Sequence, residues 1–228
     1  MSSIMAIASM TVRHRANSYR AVAVCALGLA LAGCVSDASY NAAILRLDSE
    51  WKAANDRTLR TMGRRVVEVS RTRALLAARG ATLKLGMLIE EENLETGFLL
   101  VTAAAPTPLT MAEWEEVQAA DTAKMQSVIA NEVGVASWFA TLDPSAKDVL
   151  ANVLVAEKPG GVEVSIGMRL RNKRVVIGRV RRGQPPPTAL HIGLRKFWAA
   201  FDDELRALSN TAARRVPPPP KAAVRPSA

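Results

Sequence analysis

The chain has 228 residues, 49% of them hydrophobic, and a formal net charge of +9. That length suffices for one domain that buries most of its apolar surface, and the charge favours anionic partners, a membrane surface or nucleic acid. No apolar run reaches the roughly 20 residues of a stable membrane span, which excludes a permanent transmembrane helix.

The first element is a leader. Arg13, Arg15 and Arg20 precede an apolar run over 21–32, and Leu31-Ala32-Gly33-Cys34 closes it. A run of about a dozen residues is too short to span a bilayer but suits the apolar region of a signal peptide. Ala32 and Gly33 are small enough to let a protease reach the backbone just before Cys34, whose thiolate is the soft nucleophile nearby for thioether formation. The segment resembles the lipobox of bacterial lipoproteins. That resemblance implies that the signal peptidase reads Leu31, Ala32 and Gly33 and cleaves before Cys34. It also implies that Cys34 carries a diacylglycerol, with two or three chains in all. At about 0.8 kcal/mol per buried methylene, several chains hold where one would not. Position 35 is Val and the first acid is Asp37, so the family's inner-membrane retention pattern, Asp directly after the cysteine, is missing. An outer-membrane location on the periplasmic face follows by resemblance. A start at Met10 in place of Met1 would shorten the leader and leave the mature chain unchanged.

Loss of residues 1–33 removes three arginines and no acid, leaving +6. Cys25 goes with the leader and Cys34 is acylated, so neither a free thiol nor a disulfide remains and stability must come from an ordinary core. Export puts nucleic acid out of reach. Anionic headgroups remain as partners, attracting basic residues within a Debye length of about 8 Å.

Residues 34–43 are small and polar and are expected to form a tether, with a single α+β domain over 44–210 and a disordered tail over 211–228. Leu45, Trp51, Leu59 and Met62 mark a first helix, stopped by Gly63. A short β-branched strand follows over 65–70. Ser70 caps a helix through Leu75, Leu76 and Leu83, with Gly86 after its end. Residues 87–92 and 98–103 read as two strands joined by a hairpin loop at 93–97. Thr110 and Glu113 form a capping box for a helix from Met111 to Val133. Asp143-Pro144 repeats a start signal and predicts a second inserted helix through Val149, Leu150 and Val153. Val162, Val164, Ile166, Met168 and Leu170 alternate as a half-buried antiparallel strand, with a partner expected over 174–181. Leu194, Phe197, Trp198, Phe201, Leu205 and Leu208 form the strongest helical stripe. In the tail, Pro217, Pro218, Pro219 and Pro220 favour a solvated polyproline II rod.

The fold class expected is therefore α+β, an antiparallel sheet packed on helices, with a two-helix insertion. The phrase from Val66 through "LAARGATLKLGMLIEEENLETGFLLVTA" to "FWAAFDDELRAL" resembles the helix-grip domains of envelope lipoproteins such as the lipoprotein C subunit of the outer-membrane β-barrel assembly machinery. That likeness implies a sheet that curls around its last helix.

Candidate chemistry in the mature chain is sparse. One histidine, His191, without a thiol cannot build a usual zinc site, and as a base it lacks an orienting partner. Glu90, Glu91, Glu92 and Glu95 could supply cation ligands or an acid/base pair but lack the spaced pattern of a calcium loop. Ser49 and Lys52 match the S-x-x-K spacing of penicillin-binding enzymes without the accompanying K-T-G. Arg171 to Arg174 and Arg179 to Arg182 hold basic clusters on an expected hairpin. Trp114, Trp138 and Trp198 are read as core aromatics. No catalytic residue, metal ligand or cofactor is assigned, and the expected role is a non-enzymatic interaction or structural one, with an unidentified envelope protein as partner. Two further readings are a lipid- or glycan-binding carrier with a cleft between the sheet and the last helix, near Trp198 and Phe201, and a cell-wall hydrolase built on the glutamates.

Overall fold

The computed structural model describes residues 36–145, 147–173 and 182–214. At its start the Ser36 Oγ accepts the Ser39 amide at 3.1 Å, an N-cap that releases helix α1 over Asp37–Met62. The stretch expected to be a tether is thus helical from Asp37 onward. Ala42 and Ala43, poor in polar chemistry, are strong helix formers. Gly63 ends α1 as expected: its amide donates to the Leu59 carbonyl at 2.9 Å, and a Cβ there would lie 2.5 Å from that same oxygen.

Strand β1 (Arg64–Val67) leads to α2 (Arg71–Lys84), where the Ser70 side chain accepts the Arg73 amide. Strands β2 (Leu88–Asn93) and β3 (Phe98–Ala104) form the expected hairpin. Helix α3 (Met111–Val133) begins with both halves of its capping box made, Glu113 accepting from the Thr110 amide at 2.7 Å and Thr110 Oγ1 from the Glu113 amide at 3.2 Å. A 3-10 turn follows over Gly134–Phe139. Then come β4 (Lys147–Lys158), β5 (Gly161–Asn172), the two-residue β6 (Arg182–Gly183) and α4 (Pro187–Arg214). Pro187 occupies the first helical position of α4, where its missing amide costs nothing. The helix runs past residue 211, where the tail was expected to begin. The tail prolines and the strand expected over 174–181 lie outside the described residues.

One expectation is corrected by β4. Asp143-Pro144 does not start a helix. The Asp143 carboxylate accepts from the Ser145 amide at 2.9 Å and from its hydroxyl at 2.8 Å, closing a local turn. Beyond it, Val149, Ala151, Val153 and Val155 all point inward at period 2 and are buried. The two-helix insertion between β3 and β4 is therefore one helix and a 3-10 turn.

The chain divides into two compact units. The described residues of the first are 36–47 and 125–140; the second comprises 48–124 and the described residues from 141 onward. In the second, the strands run in the order β1-β5-β4-β3-β2, all antiparallel, with β6 added to the end of β5. Strand β4 is central, pairing along its whole length with β5 and with all of β3. One face of the sheet supplies Leu99, Val101, Val153, Val155, Val164 and Ile166 to the core. The alanines of α2 (Ala74, Ala77, Ala78, Ala81) and the stripe of α4 (Leu190, Leu194, Phe197, Trp198, Phe201) belong to that same core. This is the expected α+β arrangement of an antiparallel sheet packed on helices.

Within the first unit, Arg46 of α1 pairs with Glu132 of α3 at 3.5 Å. The Gln126 amide donates to the carbonyls of Trp138 and Ala140, both at 3.1 Å, so the 3-10 turn folds back along α3.

Candidate functional site

The residues expected to direct lipid attachment, Leu31, Ala32, Gly33 and Cys34, lie outside the described residues, which begin two positions later at Ser36. The Asp37–Met62 helix therefore starts almost at the cysteine. The segment from 36 to 47 belongs to the first unit together with Met125–Ala140. Their described surface is unusually apolar. Trp138 is 74% exposed and Phe139 83%, and Tyr40, Leu45 and Val135 are exposed as well. Trp138 is thus not the core residue that its type suggested.

Two of the four acidic candidates are engaged in ion pairing. Glu90 accepts from Arg171 at 3.4 Å and Glu92 from Arg79 at 3.3 Å, while Arg71 donates to the backbone oxygen of Glu95. The register of β2 slips between Ile89 and Glu91, which breaks the strict alternation that would have aligned these carboxylates. Among the described residues no group of three or more His, Cys, Asp or Glu side chains could hold a metal ion.

His191 is exposed near the start of α4. Lys52 donates to Asp56 at 2.5 Å, one turn along α1; that hydrogen bond, against a smaller opposing effect of burial, holds the Asp56 carboxyl below its ordinary range. The lysine is thereby engaged away from Ser49 in an ordinary i,i+4 ion pair. The basic hairpin is partly neutralised: Arg171 pairs with Asp148 at 3.3 Å as well as with Glu90, and Lys173 reaches Asp148 at 3.7 Å. Arg174, Arg179 and Arg181 lie outside the described residues.

Around Trp198 and Phe201, where the alternative carrier reading placed a ligand cleft, the space between the sheet and α4 is filled. Phe197, Trp198 and Phe201 are essentially inaccessible. Trp198 meets Phe197 and Phe201 edge-on, at centroid distances of 5.1 and 5.6 Å. Toward the N-terminal end of α4 an apolar pocket of about 20 Å³ remains on that same boundary, lined by Pro106, Leu109, Trp114, Met168, Pro186 and Leu190 among others. It has room for roughly one water molecule, far below the volume of an ordinary ligand site.

Several polar ties inside the second unit were not visible from spacing. The buried Asp121 carboxylate accepts the Thr188 amide at 2.9 Å, capping the positive end of α4 from outside the helix. Asp48 accepts the Gln184 amide at 3.2 Å, and Lys196 donates to Glu113 at 2.6 Å. Burial pushes the Lys147 ammonium below its usual range, opposed by the charges of Asp143 and Asp48. The three ties of Asp121, Asp48 and Lys196 join segments far apart in sequence, so only the folded arrangement shows them. Their partners account for them as positioning contacts within the fold.

No helix among the described residues is long and apolar enough to cross a membrane. No protein family, curated protein or solved structure matches the chain.

Proposed function

We propose that this chain is a bacterial envelope lipoprotein, acylated on Cys34 and held at the periplasmic face of the outer membrane, whose α+β domain has a non-enzymatic binding or structural role. The observation that carries the reading is the order of Arg13, Arg15 and Arg20, the apolar run over 21–32, and Leu31-Ala32-Gly33-Cys34. Charge, a short apolar run and a small-residue cleavage site are what a signal peptide needs. The cysteine supplies the thiolate that thioether formation requires. The partner is an envelope component, met by the surfaces that the anchor presents.

In the test, Cys34→Ala and the unmodified chain are produced in an envelope-bearing bacterium and weighed intact. The unmodified chain is expected to lose residues 1–33 and gain the mass of a diacylglycerol, and to remain with membranes after a high-salt wash. Cys34→Ala is expected to stay uncleaved and unacylated. An unmodified chain recovered intact from Met1 and free in the cytosol would sink the proposal and return nucleic acid to the list of anionic partners.

A further inference from the structure

The described part of the first unit, residues 36–47 and Met125–Ala140, carries only three charged side chains: Asp37, Arg46 and Glu132. Arg46 and Glu132 pair with each other, and Asp37 sits in the first turn of α1, where the helix dipole favours a negative charge. The stretch 134–140 has no charged residue at all, in a chain whose net charge is +9. Five of the large exposed apolar side chains, Tyr40, Leu45, Val135, Trp138 and Phe139, fall within these few segments. Side chains of this kind on a folded surface mark an interaction site.

Position along the chain selects the occupant. Cys34 and Ser36 are two residues apart, a span of at most about 7 Å however the chain runs. From Asp37 the backbone is helical, so no length of loose chain separates an acylated Cys34 from this unit. The part of α1 in the unit, 37–47, adds only about 16 Å of helix. Arg46, near the end of that span, is tied to Glu132, and the turn bearing Trp138 and Phe139 follows directly on α3. Trp and Tyr are the side chains that settle at the headgroup level of a bilayer, where one end of the ring stays wet. A nearly uncharged surface also enters that region without the desolvation penalty of unpaired charges.

We infer that this unit is a membrane-seating face: with Cys34 acylated, Trp138 and Phe139 insert at the headgroup level of the phospholipid bilayer that holds the anchor. The inference rests on acylation of Cys34, and it makes the anchor a two-point attachment that fixes the orientation of this unit on the membrane.

Tryptophan fluorescence tests it, because Trp51, Trp114 and Trp198 are 7%, 4% and 1% exposed and Trp138 alone is open to a quencher. The protein purified from membranes is reconstituted into vesicles of phosphatidylethanolamine and phosphatidylglycerol carrying brominated acyl chains. Roughly a quarter of the emission, one tryptophan of four, is expected to be lost relative to unbrominated vesicles, with a blue shift appropriate to a side chain entering the interface. Trp138→Phe, checked for unchanged circular dichroism, is expected to abolish the loss. Equal quenching in Trp138→Phe, or no quenching in the unmodified protein, would overturn the inference. So would a blue shift that grows with protein concentration in the absence of lipid, which would assign this face to a second copy of the chain. Intact mass measured on the same sample reports acylation separately. If Cys34 proves unacylated, a Cys25→Ser variant, whose only thiol is Cys34, is coupled to a maleimide-headgroup lipid and measured in the same vesicles. The anchor reading then fails alone, and the quenching still decides where Trp138 sits.

Discussion

Trp198→Phe is the substitution whose cost can be worked most fully from the structure. The indole N–H donates to the Met62 carbonyl at 2.6 Å, at the C-terminal end of α1, while the ring is 1% exposed and lies edge-on to Phe197 and Phe201. Phenylalanine keeps an aromatic ring in place but removes the donor and the second ring's atoms. Leaving the Met62 carbonyl unpaired costs about 1–2 kcal/mol. The partly unfilled space adds about 1 kcal/mol. The Arg65 guanidinium carbon, 4.5 Å from the ring centroid, interacts less strongly with phenylalanine than with indole, a loss of about 0.5 kcal/mol at this half-exposed position. Together the change comes to about 3 kcal/mol. With a urea m value of about 2–3 kcal/mol/M, the unfolding midpoint should fall by about 1–1.5 M at unchanged m. The assay is urea denaturation followed by far-ultraviolet circular dichroism, which does not depend on the tryptophan removed. A loss below about 1 kcal/mol at constant m would show that the indole N–H is not the joint between α1 and α4 that its geometry describes.

Two further outcomes follow from local geometry. Gly97 has φ +72°, and a Cβ there would meet the Val155 carbonyl oxygen at 2.3 Å; Gly97→Ala is expected to cost about 2 kcal/mol or more and to speed amide exchange in the β2–β3 hairpin, and an unchanged exchange pattern would contradict the close approach. For Glu113, burial raises the carboxyl pKa, but the hydrogen bonds from Lys196 and from the Thr110 amide outweigh it and the net shift is downward. A carboxylate lowered on folding contributes stability that is fully present above its unfolded pKa of about 4.3 and fades as pH falls through the lower folded value. The gap in melting temperature between the unmodified protein and Glu113→Gln should therefore stay constant above about pH 5 and close on further acidification. A gap that widens in acid would reverse the sign of the argument.

Capped and alternating segments were legible before any coordinates. Ser70, the Thr110/Glu113 box and the strict alternation from Val162 to Leu170 each carry their hydrogen-bonding or burial solution within a few residues, and each forms the expected element. The segment after Asp143 was misread because Asp-Pro opens both helices and turns, and the deciding factor is a partner elsewhere. Val149, Ala151, Val153 and Val155 do alternate, but Leu150 and Leu154 between them blur the period. Leu150 is buried as well, so at that end of the strand both faces are covered and the one-sided alternation is lost. The long-range ties from Asp121 to Thr188, Asp48 to Gln184 and Lys196 to Glu113 had no local signal at all. A carboxylate that caps a helix from outside it carries the same letter as a solvated one.

The segment taken for a tether carries the largest consequence for function. Small polar residues beside an anchor are read as a spacer because such compositions lack the apolar surface to order themselves. Here Ser36 supplies a cap, the following alanines favour the helix, and Arg46 fixes it through Glu132. A flexible spacer would decouple the domain from its lipid, leaving its orientation to diffusion and making the exposed Trp138 and Phe139 a liability toward other apolar surfaces. A helix starting at Asp37, three residues beyond Cys34, does the opposite if that cysteine is acylated as proposed. On the proposed anchoring it would keep the apolar, sparsely charged first unit where a bilayer can cover it, so the two aromatic rings that would be a hazard on a free surface would serve to orient that unit.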